Sequence, residues 1–107
     1  MASGTIIKEK PHIPSGVVAS NLVSSFSVWQ VGNTVEIFVI FTPTATGFQN
    51  LLNGLPAAKT EGVSLAIFEN GQQTGNWIKI YPNGVLTAFS QSNQLAQCEG
   101  HIIYLCE

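Results

Sequence analysis

Apolar and polar residues alternate with a period of two along most of this chain, and short clusters of turn residues interrupt the alternation. Successive side chains of a β-strand point to opposite faces, so this period is typical of strands that bury one face. The clearest example is segment 22–42, where two alternating runs flank Gly32 and Asn33, a pair suited to a tight hairpin turn. No helical period extends over ten residues. The pattern therefore predicts an all-β protein.

Seven extended segments are predicted between the turn signals. They cover residues 5–9, 22–31, 34–42, 63–67, 77–81, 85–90 and 101–106. Turns are expected at residues 32–33, 70–71 and 82–84, where Gly follows or precedes Asn. Seven or eight short strands at this spacing predict an antiparallel β-sandwich or jelly-roll-like domain.

Residues 43–61 are the least strand-like part of the sequence. Phe48, Leu51 and Leu52 are expected either to form one helical turn or to anchor a long loop. Residues 1–15 are interpreted as an arm or linker because their prolines break regular strand pairing. The β-sandwich domain is then residues 16–107.

Charged residues are unusually scarce. They make up 9% of the chain, against about 25% in an average soluble domain, and the sequence has no Asp and no Arg. Ser, Thr, Asn and Gln number 32 against 10 charged residues, so solubility must come from uncharged polar groups. A net charge of −2 without a basic patch does not favour nucleic acid, since nothing would neutralise the phosphates.

Neither a membrane span nor a signal peptide is expected. No apolar run reaches the roughly 20 residues that cross a bilayer, which predicts no membrane insertion. The start, Met1 to Gly4, lacks the basic and apolar regions of a signal peptide. Synthesis in a cytosol is therefore expected.

The sequence contains no recognisable catalytic or metal-binding constellation. The absence of Asp removes the usual Asp-containing triad, and the two histidines, His12 and His101, are far apart in the sequence. No CxxC, HxH or HxxxH spacing occurs. The prediction is a non-enzymatic protein without cofactor or metal.

Cys98 and Cys106 would lie roughly 26 Å apart on one extended strand, so free thiols are expected unless a turn at Gly100 brings them together.

Segment 34–42 is apolar on both faces over its second half. Val35, Ile37, Val39 and Phe41 share one face, while Phe38 and Ile40 lie on the other. A strand that is apolar on both faces is buried on both. The second cover is either another sheet layer or another subunit, and Phe38, Ile40 and Trp29 are the candidate interface residues.

A local cluster of aromatic and amide groups provides the candidate ligand site. Trp77 and Tyr81 share one side of their predicted strand with Lys79, and Gln72, Gln73 and Asn76 come just before. Sugars are bound by an aromatic face and by amides and hydroxyls. The alternative is that Trp77 and Tyr81 pack against a neighbouring sheet or subunit.

Four segments, taken in order, resemble a known family. Residues 29–37 (WQVGNTVEI) are similar to a "V-G-N-x-V-x-I" hairpin, and residues 52–56 (LNGLP) to a loop ending in "G-L-P". Residues 77–86 and 100–104 resemble an "I-x-x-x-N-G-x-L" hairpin and a "G-x-I-x-Y" closing strand. These motifs occur in C-terminal head domains of tail, baseplate and fibre proteins from phages of Gram-positive bacteria, and the resemblance covers roughly residues 16–106.

The resemblance implies a β-sandwich head in the virion that forms a homotrimer and binds host cell-surface saccharide. The family's Arg and Asp at sugar sites are absent here, and Ala57-Ala58-Lys59 replaces its "G-Y-R-P" variant. A ligand would therefore be held by amides and aromatic rings. A structural trimerisation module of a viral fibre, with no ligand of its own, is the alternative.

Overall fold

The computed structural model describes residues 10–68, 73–91 and 95–107. Within them lie eight strands and no helix. The strands are β1 (Val18–Ala19), β2 (Val23–Val31), β3 (Thr34–Phe41), β4 (Gly47–Asn53), β5 (Gly62–Phe68), β6 (Gln73–Ile80), β7 (Leu86–Ser90) and β8 (Cys98–Leu105). The predicted all-β antiparallel fold with about eight strands is confirmed. The predicted piece 5–9 and the turn at 70–71 lie outside the described residues.

All eight strands belong to one antiparallel sheet that is nearly closed, in the order β1-β4-β7-β6-β5-β8-β3-β2. Strands β5, β6 and β7 are consecutive neighbours, and β8 returns to pair with β5 on their far side. The order β8-β5-β6-β7 is therefore a Greek key. On the other side of the unit formed by β5, β6 and β7, strand β4 pairs with β7.

Two of the predicted turns contain a glycine residue with positive φ. Gly32 has φ +58°, and Val31 pairs with Thr34 across the two-residue turn between β2 and β3. At residues 82–84, the Tyr81 amide donates to the Val85 carbonyl at 3.0 Å, and Gly84 has φ +80°. Glycine occupies these positive-φ positions because it has no Cβ to clash with the backbone.

The expectation of a helical turn or long loop within residues 43–61 is wrong. Gly47–Asn53 form β4, which pairs with β7 on one side and with β1 on the other. The register shifts between Asn50 and Leu52, so Leu51 is an extra residue and both leucines are fully buried. A bulge of this kind interrupts the alternation by which strands are recognised.

The core lies on the concave inner face of the curled sheet. Its apolar members come from the seven strands β2 to β8 and from the loops after β4 and β8. They are Val28, Val35, Ile37, Val39, Phe41, Leu51, Leu52, Leu55, Ala58, Ala66, Ile78, Ile80, Leu86, Ala88, Cys98, Ile102, Tyr104 and Cys106. A Cβ added at Gly100 would lie 2.8 Å from Ile78 Cδ1 and 3.4 Å from Val39 Cγ1. Three strands therefore meet closely at Gly100, as in a sandwich core.

Both cysteines are free and buried. Cys98 begins β8 and Cys106 follows its last residue, so the extended strand separates them. The Cys98 thiol donates to the Ala96 carbonyl at 3.2 Å. Burial raises the pKa of Cys98, and the Asn76 amide partly opposes that rise. The protonated thiol is therefore the favoured form in the folded protein.

Candidate functional site

The predicted ligand site centres on β6, where side chains alternate between the core and the outer face. Ile78 and Ile80 are fully buried, as expected from the sequence, and Trp77 and Lys79 lie on the opposite face. Trp77 is opposite Phe89 on β7, and Phe89 is opposite Phe48 on β4. Three neighbouring strands therefore place one aromatic residue each in a single row.

The three rings contact one another directly. Trp77 and Phe89 stack with centroids 5.1 Å apart and planes 16° from parallel. Phe48 stands edge-on to both, at 5.5 Å from Trp77 and 5.0 Å from Phe89. Offset-stacked and edge-to-face pairs are the favourable aromatic geometries. We refer to Trp77, Phe89 and Phe48 as the aromatic row.

The aromatic row remains open to solvent. Phe48 is 56% exposed, while Trp77 and Phe89 are half-buried by their neighbours. Trp77 packs against rings of adjacent strands in its own sheet, and the row as a whole presents a free apolar surface. Phe48 and Phe89 were not predicted as site residues, because only the strand register shows that they lie beside Trp77.

A row of polar groups runs parallel to the aromatic row, at a distance of two residues on each strand. It consists of Lys79 on β6, Thr87 on β7 and Asn50 on β4. Asn50 is exposed, and the hydroxyl of the buried Thr87 has no hydrogen-bond partner among the described residues. An exposed amide and an ammonium group thus lie next to an aromatic surface, a combination that suits sugars, while the Thr87 hydroxyl is buried between them.

Lys79 is held in place by two contacts. Its Nζ lies 3.0 Å from Glu61 Oε1 and 4.8 Å from the centroid of the Tyr81 ring. The hydrogen bond to Glu61 is the main cause of the raised pKa of Lys79, which keeps the ammonium charged. Predicted site residues Trp77, Lys79 and Tyr81 therefore lie together at one end of β6.

Asn76 does not face this site. Its side chain is fully buried, with Oδ1 accepting from the Gln91 amide at 2.9 Å and Nδ2 lying 3.5 Å from Cys98 Sγ. Because successive residues of a strand point to opposite faces, Asn76 must face the core when Trp77 faces outwards. The predicted ligand contact of Asn76 is thus at odds with its place in the interior. Gln72 and the side chain of Gln73 lie outside the described part of the chain.

A second surface adjoins the first at the β5–β6 pair, where Leu65 is opposite Trp77 and Val63 is opposite Lys79. It covers the outer faces of β2, β3, β8 and β5. Cross-strand pairs join Trp29 to Glu36 and Glu36 to Ile103, and a parallel row joins Ile40 to Glu99 and Glu99 to Ile67. We call this surface the outer apolar face. Its large apolar members are Trp29, Val31, Phe38, Ile40, Val63, Leu65, Ile67, Ile103 and Leu105.

Strand β5 shows the character of this face most clearly. Its outward residues are Val63, Leu65 and Ile67, and Leu65 is 66% exposed. Its inward residues include Gly62 and Ala66. Phe68, at the end of β5, packs against the core, but over residues 62–67 the larger apolar side chains point away from it, the reverse of an ordinary half-buried strand.

An imidazole and a carboxyl group contact each other near the centre of the outer apolar face. His101 Nε2 lies 2.9 Å from Glu36 Oε2, and the His101 ring is 6.2 Å from the ring of Phe38. Glu99 lies one row further along, between Ile40 and Ile67. The carboxylate of Glu36 thus has a partner within the same face.

The three predicted interface residues Trp29, Phe38 and Ile40 all lie on this face. Of the two covers expected for β3, a second layer of the same chain is not seen over it in the described ranges, since Phe38 is 41% exposed. The other cover, a further subunit, remains a prediction.

No family model, curated protein or solved structure matches this chain. Within residues 10–68, 73–91 and 95–107, no group of three potential metal ligands comes together, and no helix is long and apolar enough to cross a membrane. The aromatic row with its polar neighbours and the outer apolar face are therefore the two surfaces from which a function can be proposed.

Proposed function

We propose that this chain is the receptor-binding head of a phage or prophage tail, baseplate or fibre protein, which binds host cell-surface carbohydrate without catalysing a reaction. The observation that carries the proposal is the solvent-open aromatic row with polar groups beside it. In this view the protein is part of the virion and acts as a homotrimer. The ordered sequence motifs and the all-β antiparallel fold support the assignment.

The aromatic row supplies an apolar platform for the C–H face of a sugar ring. Phe48 is the most exposed of the three rings, and Trp77 and Phe89 fix it in an edge-on position. Because the rings are already packed together, little side-chain freedom is lost when a ligand binds. This preorganisation favours binding by a shallow surface site.

The neighbouring polar groups would provide the directional contacts. Asn50 offers an exposed amide next to the row, and Lys79 offers an ammonium held by Glu61. Uncharged amides lose less on desolvation than ionised groups do. A chain without Asp or Arg can therefore still bind saccharide hydroxyls.

A shallow site of this kind binds weakly, and a trimer would compensate by multivalency. Linking several weak sites raises overall avidity by about 10²–10⁴-fold without any new contact. Repeated polysaccharide on a cell surface presents the matching repeated ligand. The proposed assembly and the proposed ligand thus support each other.

The direct test is binding of the full chain to a glycan array and to isolated cell-wall polysaccharide. We expect wild-type protein to bind and the Phe48→Ala variant to lose about tenfold in affinity, since aromatic contacts contribute about 0.5–1.5 kcal/mol beyond area burial. Phe26→Ala is the matched control, because Phe26 is a partly exposed phenylalanine of β2 outside the aromatic row.

Equal binding by Phe48→Ala and Phe26→Ala would remove the aromatic row as the ligand site. A wild-type protein that assembles but binds no saccharide would favour the alternative, a structural module that trimerises a viral fibre.

A further inference from the structure

We infer that the outer apolar face is the surface through which copies of this chain associate with one another. The inference adds a specific interface to the proposed function and depends on that proposal only for the number of copies. It stands whether or not the aromatic row binds saccharide.

The size of the face is the first argument. Eight of its apolar residues are each 37–66% exposed: Trp29, Val31, Phe38, Val63, Leu65, Ile67, Ile103 and Leu105. Taking about 150 Å², the lower end for an aromatic side chain, as the full area of each residue, they expose on the order of 600 Å². The largest apolar patch of a typical monomer is about 300–600 Å². A standard interface buries about 800 Å² per partner, so the face lies at the upper end for a monomer surface and is large enough to form most of an interface.

The charge arrangement is the second argument, and it favours another copy of the chain as the partner. Near the centre of the face, Glu36 is bonded to His101 in the same chain, so this carboxylate does not require a complementary charge from a partner. Glu99, in the row of Ile40 and Ile67, is the other charged residue of these strands on this side. A face that is mostly apolar, with its central carboxylate already paired, is compatible with an identical face.

The composition of β5 is the third argument. Exposing Val63 and Leu65 while turning Gly62 and Ala66 inwards sacrifices apolar burial within the monomer. Burial of the same residues against a second copy recovers it. Obligate interfaces resemble a domain core cut in half, and β5 has this character on its outer side.

The test is sedimentation or light scattering of the full chain at micromolar concentrations. We expect wild-type protein to be oligomeric, with three copies if the trimer proposal is right. Ile103→Lys should associate at least about 100-fold more weakly, because it places an ammonium group in an apolar interface. Ile103 is 57% exposed, so the monomer should tolerate lysine there. Val18→Lys is the control: Val18 is 62% exposed on β1, away from the outer apolar face.

A second measurement guards against a folding defect. Ile103→Cys places a thiol on the face, and we expect its maleimide labelling to slow as protein concentration rises, whereas the buried Cys98 and Cys106 stay unlabelled. A monomeric wild-type protein, equal association by Ile103→Lys and Val18→Lys, or labelling independent of concentration would each overturn the inference. A wild-type protein that assembles but binds no saccharide would count against the saccharide proposal alone.

Discussion

Asn76 is the predicted site residue whose structural position differs most from its predicted role, and the variant Asn76→Ala distinguishes the two. A ligand contact would affect affinity and leave stability unchanged. A residue buried between β6 and β8 would affect stability and leave the affinity of the folded protein unchanged. The structure favours the second outcome.

The expected destabilisation follows from the contacts of the amide. Removing Oδ1 takes away the acceptor of the Gln91 N–H, now bonded at 2.9 Å. An unsatisfied donor of this kind costs about 1–3 kcal/mol, and the small void left at a fully buried position adds to it. We therefore expect Asn76→Ala to lower the free energy of unfolding by about 2–3 kcal/mol, or Tm by about 10–20 °C.

The assay is urea denaturation followed by tryptophan fluorescence, with all proteins at one concentration because oligomers gain stability by mass action. Asn50→Ala serves as the control, since Asn50 is exposed on β4 and such surface changes stay within about 0.5 kcal/mol. If Asn76→Ala and Asn50→Ala unfold at the same urea concentration, the inward placement of Asn76 is wrong. A loss of saccharide affinity in folded Asn76→Ala, without a loss of stability, would restore its predicted role.

Two further predictions concern a backbone contact and a buried phenol. Gly54→Ala should destabilise the fold clearly more than Gly16→Ala does. Both residues have positive φ, which costs alanine about 1–2 kcal/mol. Of the two positions, only Gly54 would also bring the new Cβ into collision with a backbone carbonyl, that of Gly16. Equal losses in chemical denaturation would refute this close approach. Burial raises the pKa of Tyr104 in the folded protein. The contribution of Tyr104 to the free energy of unfolding is therefore complete below its pKa in the unfolded chain, about 10. That contribution is lost as the pH rises through the pKa of Tyr104 in the folded protein. In Tyr81→Phe, where Tyr104 is the single tyrosine, the phenolate absorbance should appear only well above pH 10; titration of the folded protein near pH 10 would contradict the burial argument.

The sequence predicted the strands whose alternation is regular. Strand β3 was expected at 34–42 and is Thr34–Phe41, and β2 was expected at 22–31 and is Val23–Val31. Glycine marked the turns because its backbone tolerates positive φ. These features depend on neighbouring residues in the chain, and they can be recognised without knowing the fold.

Strand β4 escaped prediction for a specific reason. Its bulge places Leu51 and Leu52 side by side in the core, which destroys the period of two. The pairing that makes the segment a strand comes from β7, more than 30 residues later in the chain. Neither the bulge nor the distant partner can be recognised in a local pattern.

The sequence by itself determined that the chain folds into antiparallel strands, and where most of the turns between them lie, because backbone sterics and side-chain alternation act over a few residues. The tertiary structure decided which alternating face is covered. It placed Phe48 and Phe89 beside Trp77 through strand register. It also turned Leu65 towards solvent and Asn76 towards the core, because hydrophobic burial depends on which distant strands meet and a period of two specifies only that two faces exist.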